Sequence, residues 1–195
     1  ILFITINVLS WGISGLMNHR FKKYSQIYLP LTGREVAEKM LRDNGIYDVT
    51  VTSTPGHLTD HYDPRNKTVN LSEAVYNSNN VAAAAVAAHE CGHAVQHAYS
   101  YAPLQMRSTL VPVVSFASKW LTWVILGGFL LLETFPQLLL LGIILYALTT
   151  LFAFISLPVE INASQRAILW LEQARVTNQE TTPMASSALR SAAYT

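Results

Sequence analysis

The chain has a single cysteine, Cys91, among 195 residues, so an intrachain disulfide is excluded. Charge is equally scarce: 13% of residues are Asp, Glu, Lys or Arg, and the formal net charge is only +1. No basic stripe is available for a nucleic-acid backbone, so that class of partner is set aside. Internal repeats and low-complexity linkers are also missing, which argues against a solenoid or a tethered array. The compensating abundance is apolar. Hydrophobic residues make up 51% of the sequence, more than an ordinary soluble domain carries, and this composition points to a membrane.

The apolar residues are concentrated in three runs. Residues 1–17 carry no charge and are just long enough to cross a bilayer. A cleaved signal peptide is the rival reading, but the small-residue cleavage pattern is missing. Residues 110–132 form a second span, with Lys119 inside it and able to snorkel. Residues 138–157 form a third, uncharged span. The short link Glu133-Thr134-Phe135-Pro136-Gln137 makes residues 110–157 a transmembrane hairpin; the alternative is a pair of soluble core helices, which a 20-residue uncharged run disfavours. Arg20, Lys22 and Lys23 follow the first span, Arg107 precedes the second, and Arg166 and Arg175 follow the third, while the hairpin link has neither Lys nor Arg. The positive-inside rule therefore places residues 18–109 and 158–195 in the cytoplasm, and the lack of disulfides agrees with a reducing compartment.

Within residues 18–109, Thr32-Gly33-Arg34-Glu35 is a capping box followed by Val36, Ala37, Met40 and Leu41 at helical spacing. Asn44-Gly45 supplies a stop, predicting an amphipathic helix over 33–44. Ile46–Thr54, His57–Tyr62 and Lys67–Ser72, separated by Pro55-Gly56 and Asp63-Pro64-Arg65-Asn66, predict a small antiparallel sheet. An edge strand there could hold an extended peptide, or the sheet could merely cover a helix.

That helix is the alanine-rich segment 79–99, which Ser78, Asn79 or Asn80 can cap. It contains His89-Glu90-Cys91-Gly92-His93, the pattern H-E-x-x-H. Residues four apart share a helix face, so both imidazoles can reach one metal ion, while Glu90, about 100° around the helix, can approach a water on that ion. Two histidines and a carboxylate base are the core of a zinc hydrolase site. The bland alternative is a helix with incidental histidines.

A third ligand must come from elsewhere. The extended zinc-protease pattern wants a histidine where Tyr99 stands. His97 would require one ion to span two turns, so it is expected to support a ligand or to pack. Cys91 points away from the histidine face and reads as a small packing residue. Among carboxylates, Glu160 is the best placed: it follows the third span, and Pro158 is expected to restart the chain at a helix N-terminus. The competing role for Glu160 is a first-turn acid favoured by the helix dipole. Two histidines and a glutamate suit one Zn2+ ion.

His89-Glu90-Cys91-Gly92-His93, together with Gly56-His57-Leu58-Thr59-Asp60-His61-Tyr62-Asp63-Pro64, Val69-Asn70-Leu71-Ser72 and Leu157-Pro158-Val159-Glu160, resembles the neutral zinc metallopeptidases of the YugP type, from about residue 20 to residue 175. More distantly it is similar to the membrane proteases of the CAAX prenyl-protease and heat-shock type. The resemblance implies a bacterial membrane-bound metalloprotease with His89, His93 and Glu160 as zinc ligands and Glu90 as catalytic base. It departs from those glutamate-zinc proteases at one point: where an Asp ordinarily orients a ligand histidine, four residues after the ligand Glu, this chain has Ser164. A hydroxyl orients an imidazole less strongly than a carboxylate does, which leaves Asn162 or Asp60 as substitutes. His57, His61, Tyr62 and Arg166 are candidate donors to the oxyanion of the reaction, although His57 and His61 equally suit loop residues that cap a turn.

The expected fold class is a mainly α membrane protein: transmembrane helices plus a small α+β zincin-like catalytic region with a short antiparallel sheet. The expected function is hydrolysis of peptide bonds in a peptide or membrane-protein substrate, at the cytoplasmic face of a bacterial inner membrane and in contact with membrane lipid. Two rivals stand beside it. A non-catalytic membrane scaffold with a structural metal site would need a fourth protein ligand such as His97 or Cys91. An enzyme acting on a lipid or other amphiphile would need a hydrophobic cleft.

Overall fold

The structure, a computed structural model, describes residues 12, 15, 19–56 and 58–193. The expected first span therefore lies almost wholly outside the described residues, as does His57. The chain divides into two compact units, one formed by residues 1–99 with 160–195 and the other by residues 100–159.

In the first unit, helix α1 spans Gly33–Asp43. The capping box forms as the sequence predicts: the Thr32 hydroxyl accepts from the Glu35 N–H, and the Glu35 carboxylate accepts from the Thr32 N–H at 2.8 Å. Asn44 caps the other end, and Gly45 takes the left-handed conformation (φ +70°) that ends the helix. Val36, Ala37, Met40 and Leu41 are all buried, which is the apolar stripe the spacing predicts.

Three strands follow: β1 (Thr50–Thr54), β2 (His61–Asp63) and β3 (Thr68–Ser72). The sheet differs from the expected antiparallel meander. Its order is β1-β3-β2, with β1 parallel and β2 antiparallel to β3. The second strand is also shorter and later than expected. The physical reason is burial. Only β3 has a fully buried alternation, Val69 and Leu71, whereas β1 and β2 are half-exposed, so β3 takes the middle and the other two become edges. Between β2 and β3, Asp63 Oδ1 accepts from the Arg65 N–H at 2.8 Å and Lys67 adopts φ +52°, making the tight reversal that the Asp-Pro-Arg-Asn signal predicts.

A short helix α2 (Glu73–Tyr76) leads to α3 (Val81–Ala98), whose N-cap is Asn80, its side chain accepting from the Ala83 N–H at 2.9 Å. Ala82–Ala85, Ala87, Ala88 and Ala94 are buried, and side chains this small let neighbouring backbones close on the helix from several sides. Residues 160–173 add a second stripe of small and apolar side chains, with Ala163, Ala167, Trp170 and Leu171 buried. The last helix, Thr181–Ala193, completes the unit, with Ala185 and Leu189 in the core.

The second unit holds helix α4 (Ala102–Leu130) and most of helix α5 (Pro136–Gln173). Both are long and apolar enough to cross a membrane, and their most apolar stretches are only 11% and 6% buried. Large apolar groups such as Phe116, Trp123, Phe129 and Phe154 face outward, an arrangement suited to lipid and costly in water. The two helices approach closely: a Cβ on Gly128 would stand 2.7 Å from the Leu139 Cα, the small-residue contact by which helices associate in lipid. Helix α4 starts eight residues before the expected span. Pro158 lies inside α5 and does not open a helix, so the third span and the segment carrying Glu160 are one continuous element.

Candidate metal centre

Helix α3 is one turn from its end when it reaches His93, and its four-residue spacing puts His89 and His93 side by side, with ring centroids 4.8 Å apart and planes at 85°. Helix α5 crosses this face. It passes close at Gly92, where a Cβ would lie 2.6 Å from the Ala163 carbonyl oxygen. Gly92 is therefore the gap through which the second helix comes near enough to deliver a side chain to both histidines.

That side chain is Glu160. Its Oε2 lies 3.1 Å from His89 Nε2 and 3.3 Å from His93 Nε2. One ligand atom from each of the three residues falls within 4.8 Å of the others. Ligands about 2.0–2.1 Å from a tetrahedral ion stand about 3.3–3.4 Å apart, so both distances from Glu160 to the histidines match an edge of such a site. Burial opposes a charge on His93. The hydrogen bond to Glu160 and the charges of Glu90 and Glu160 outweigh it and raise the imidazole pKa. The pocket is thus electronegative at the point where a cation would sit.

The outer nitrogens of both histidines are occupied. His89 Nδ1 is 3.1 Å from the Ser164 hydroxyl, so Ser164 fills the place where an Asp was expected. His93 Nδ1 is 3.0 Å from Gln96 Oε1. Gln96 Nε2 in turn donates to Asn162 Oδ1 at 3.0 Å, and Arg166 Nε donates to the same oxygen at 2.8 Å. Asn162 and Arg166 therefore belong to the surroundings of His93, and Asp60 is used elsewhere, accepting from the Ser72 N–H at 2.8 Å.

Glu90 is half-buried next to His89, and its charge acts on His93. The remaining sequence candidates are not assembled with these groups. His61 donates to the Thr59 carbonyl at 2.8 Å and faces Asn70, which is the turn-capping role. Tyr62 pairs with His97, its hydroxyl 2.8 Å from His97 Nδ1. Burial, followed by the charges of Asp48 and Asp63, pushes the phenol pKa up to about 12, so Tyr62 keeps its proton. Cys91 is fully buried with Sγ toward the Ala37 carbonyl at 3.6 Å, and burial raises its thiol pKa. Among the described residues, then, neither His97 nor Cys91 joins the trio.

Two contributors escaped the sequence reading. They are Gln96, three residues after the second motif histidine, and Gly92, one of the two unspecified positions inside H-E-x-x-H. The signal for Gln96 was a lone amide three residues after a ligand histidine. For Gly92 it was a glycine inside a helix that otherwise favours alanine.

The family described as “Putative neutral zinc metallopeptidase” matches residues 1–195. A Bacillus subtilis (strain 168) protein named “Putative membrane protease YugP” is 44% identical over 172 residues, covering 85% of this chain and 76% of that protein. No solved structure matches.

Proposed function

Because this chain belongs to the neutral zinc metallopeptidase family, we propose that it is an integral-membrane endopeptidase using one Zn2+ held by His89, His93 and Glu160. The observation that carries this reading is the convergence of three ligand atoms from α3 and α5 next to Glu90. Three protein ligands leave a coordination position open, as hydrolysis requires, and Cys91 and His97 are turned to other partners, which disfavours a closed structural site.

When bound, the ion supplies a Lewis acid that brings the pKa of a water toward about 7. The chain's own residues supply the rest. Glu90 takes the proton as the nucleophile attacks the scissile carbonyl and passes it to the leaving amine nitrogen. Ser164 and Gln96 keep the two imidazoles aimed inward, and the half-exposed edge strands flanking β3 offer main-chain groups to an extended peptide. We read the helix, sheet and H-E-x-x-H arrangement as zincin-like. The basic residues flanking the spans support a reading in which this chemistry lies on the cytoplasmic side of the membrane, which in a bacterium would be the inner one.

The test is a Glu90→Gln variant of the full chain in detergent. It should bind zinc at one equivalent yet lose cleavage of an unstructured protein substrate by a factor of about 10²–10⁴. Full cleavage by that variant, or cleavage by the parent that survives stripping of metal with a chelator, would overturn the assignment.

A further inference from the structure

His93 is presented to its metal by a hydrogen-bond chain whose direction can be read from the chemistry of its end members. A guanidinium only donates, so Arg166 Nε at 2.8 Å requires Asn162 to face it with the amide oxygen. That oxygen is also 3.0 Å from the side-chain amide of Gln96. An oxygen already fixed as an acceptor needs a donor opposite it, so Gln96 turns its nitrogen toward Asn162 and its oxygen toward His93. An amide oxygen accepts only. The His93 Nδ1 at 3.0 Å must therefore carry the hydrogen, so Nε2, the atom that faces Glu160, is the one left to take a metal ion, which would displace any proton it shares with Glu160.

We propose that Gln96 is the positioning residue that presents His93 through Nε2, and that Arg166, acting through Asn162, sets the direction of that bond. The proposal rests on the zinc reading above. Gln96 is fully buried, and an amide carried into an apolar interior costs free energy unless its partners are fixed, so water does not compete for either end. His89 differs. Its Nδ1 meets the Ser164 hydroxyl, which can donate or accept and so imposes no direction. The two ligand histidines are thus unequally preorganised, His93 by a directed chain and His89 by a reversible contact.

The experiment measures Zn2+ affinity of the full chain in detergent by competition with a chromogenic chelator. The visible spectrum of the Co2+ form and the melting temperature of the metal-free form are recorded alongside. Gln96→Met preserves volume and removes both polar ends; it should weaken Zn2+ by about 10–100-fold and alter the Co2+ bands. Asn162→Leu should weaken Zn2+ in the same direction. Asn162→Asp should stay within about threefold of the parent, because a carboxylate, like the amide oxygen it replaces, only accepts. A space-filling role for Gln96 predicts instead that Gln96→Met binds Zn2+ as the parent does, and that result overturns the proposal. Equal losses in Asn162→Asp and Asn162→Leu overturn the directional part. If Gln96→Met does not fold, the half-buried Asn162 pair decides. A parent that binds no Zn2+ sinks the proposed function itself, whereas a parent that binds while every variant matches it sinks only this inference.

Discussion

Gly92→Ala adds one methyl group at the crossing of α3 and α5. The new Cβ would stand 2.6 Å from the Ala163 carbonyl oxygen and 3.2 Å from the Ala163 carbonyl carbon and Cα. Ordinary contact begins near 3.4 Å, so the helices must separate by about 0.8 Å. The obstructing atoms are backbone, and no rotamer change relieves them. In a lone helix the same substitution would be favourable by about 1 kcal/mol, because Ala is the better helix former. Overpacking costs about 1–3 kcal/mol, so the net effect is a loss of up to about 2 kcal/mol. The effect on the metal is larger in kind. Glu160 lies three residues before Ala163, and its 3.3 Å approach to His93 Nε2 would open to about 4 Å, beyond the edge of a tetrahedral zinc site. Zinc affinity should fall by about tenfold or more, close to 1.4 kcal/mol. Unfolding in denaturant with and without zinc, together with chelator competition, measures both quantities. A variant about 1 kcal/mol more stable than the parent, with unchanged zinc affinity, would show that helix propensity alone governs the position and that the close approach is wrong.

Other consequences are more local. Glu160→Gln keeps the size of the side chain but removes its charge, and should lower zinc affinity by at least about tenfold, read by metal analysis after dialysis. Stoichiometric zinc in that variant would exclude Glu160 as a ligand. Cys91, fully buried and with its thiol pKa raised, should resist iodoacetamide in the native protein and react only on unfolding; rapid native labelling detected by mass spectrometry would contradict its packing. Asp43 accepts from Lys39 and from the Trp170 indole, and Lys39 foremost holds its carboxyl below the usual value of 3.8. A depressed folded pKa means the stabilisation is complete above the unfolded value and disappears as pH falls through the folded one. Asp43→Asn should therefore be less stable than the parent at pH 7, by under about 1 kcal/mol for so exposed a pair, with the gap closing below pH 4. A gap of the same size at pH 7 and pH 3 would rule this out.

What could be read from the residues alone was whatever depends on short spacing. The four-residue interval of His89 and His93, the Thr32–Glu35 capping box, the Asn44-Gly45 stop and the apolar length of 138–157 all follow from helix period or from local hydrogen bonding, and each is found as expected. Membership of the family was legible too, because several separated motifs recur together. The sheet was only half legible. The rough places of the strands follow from alternation, but the order β1-β3-β2 follows from which strand is the most buried, and that depends on what packs against it. Pro158 misled because a proline ordinarily opens or breaks a helix, yet α5 runs through it and carries Glu160 onward in the same element.

The centre itself belongs to the tertiary structure. Sequence supplied the donors and their chemistry. It could not bring a carboxylate 71 residues from His89 to within 3.1 Å of it. Nor could it show that Gly92 is the gap that permits the approach, or that Gln96 and Ser164, not a carboxylate, stand behind the two imidazoles. A ligand set drawn from two helices is fixed by where their backbones cross, and that crossing is decided by the side chains left out as much as by those present.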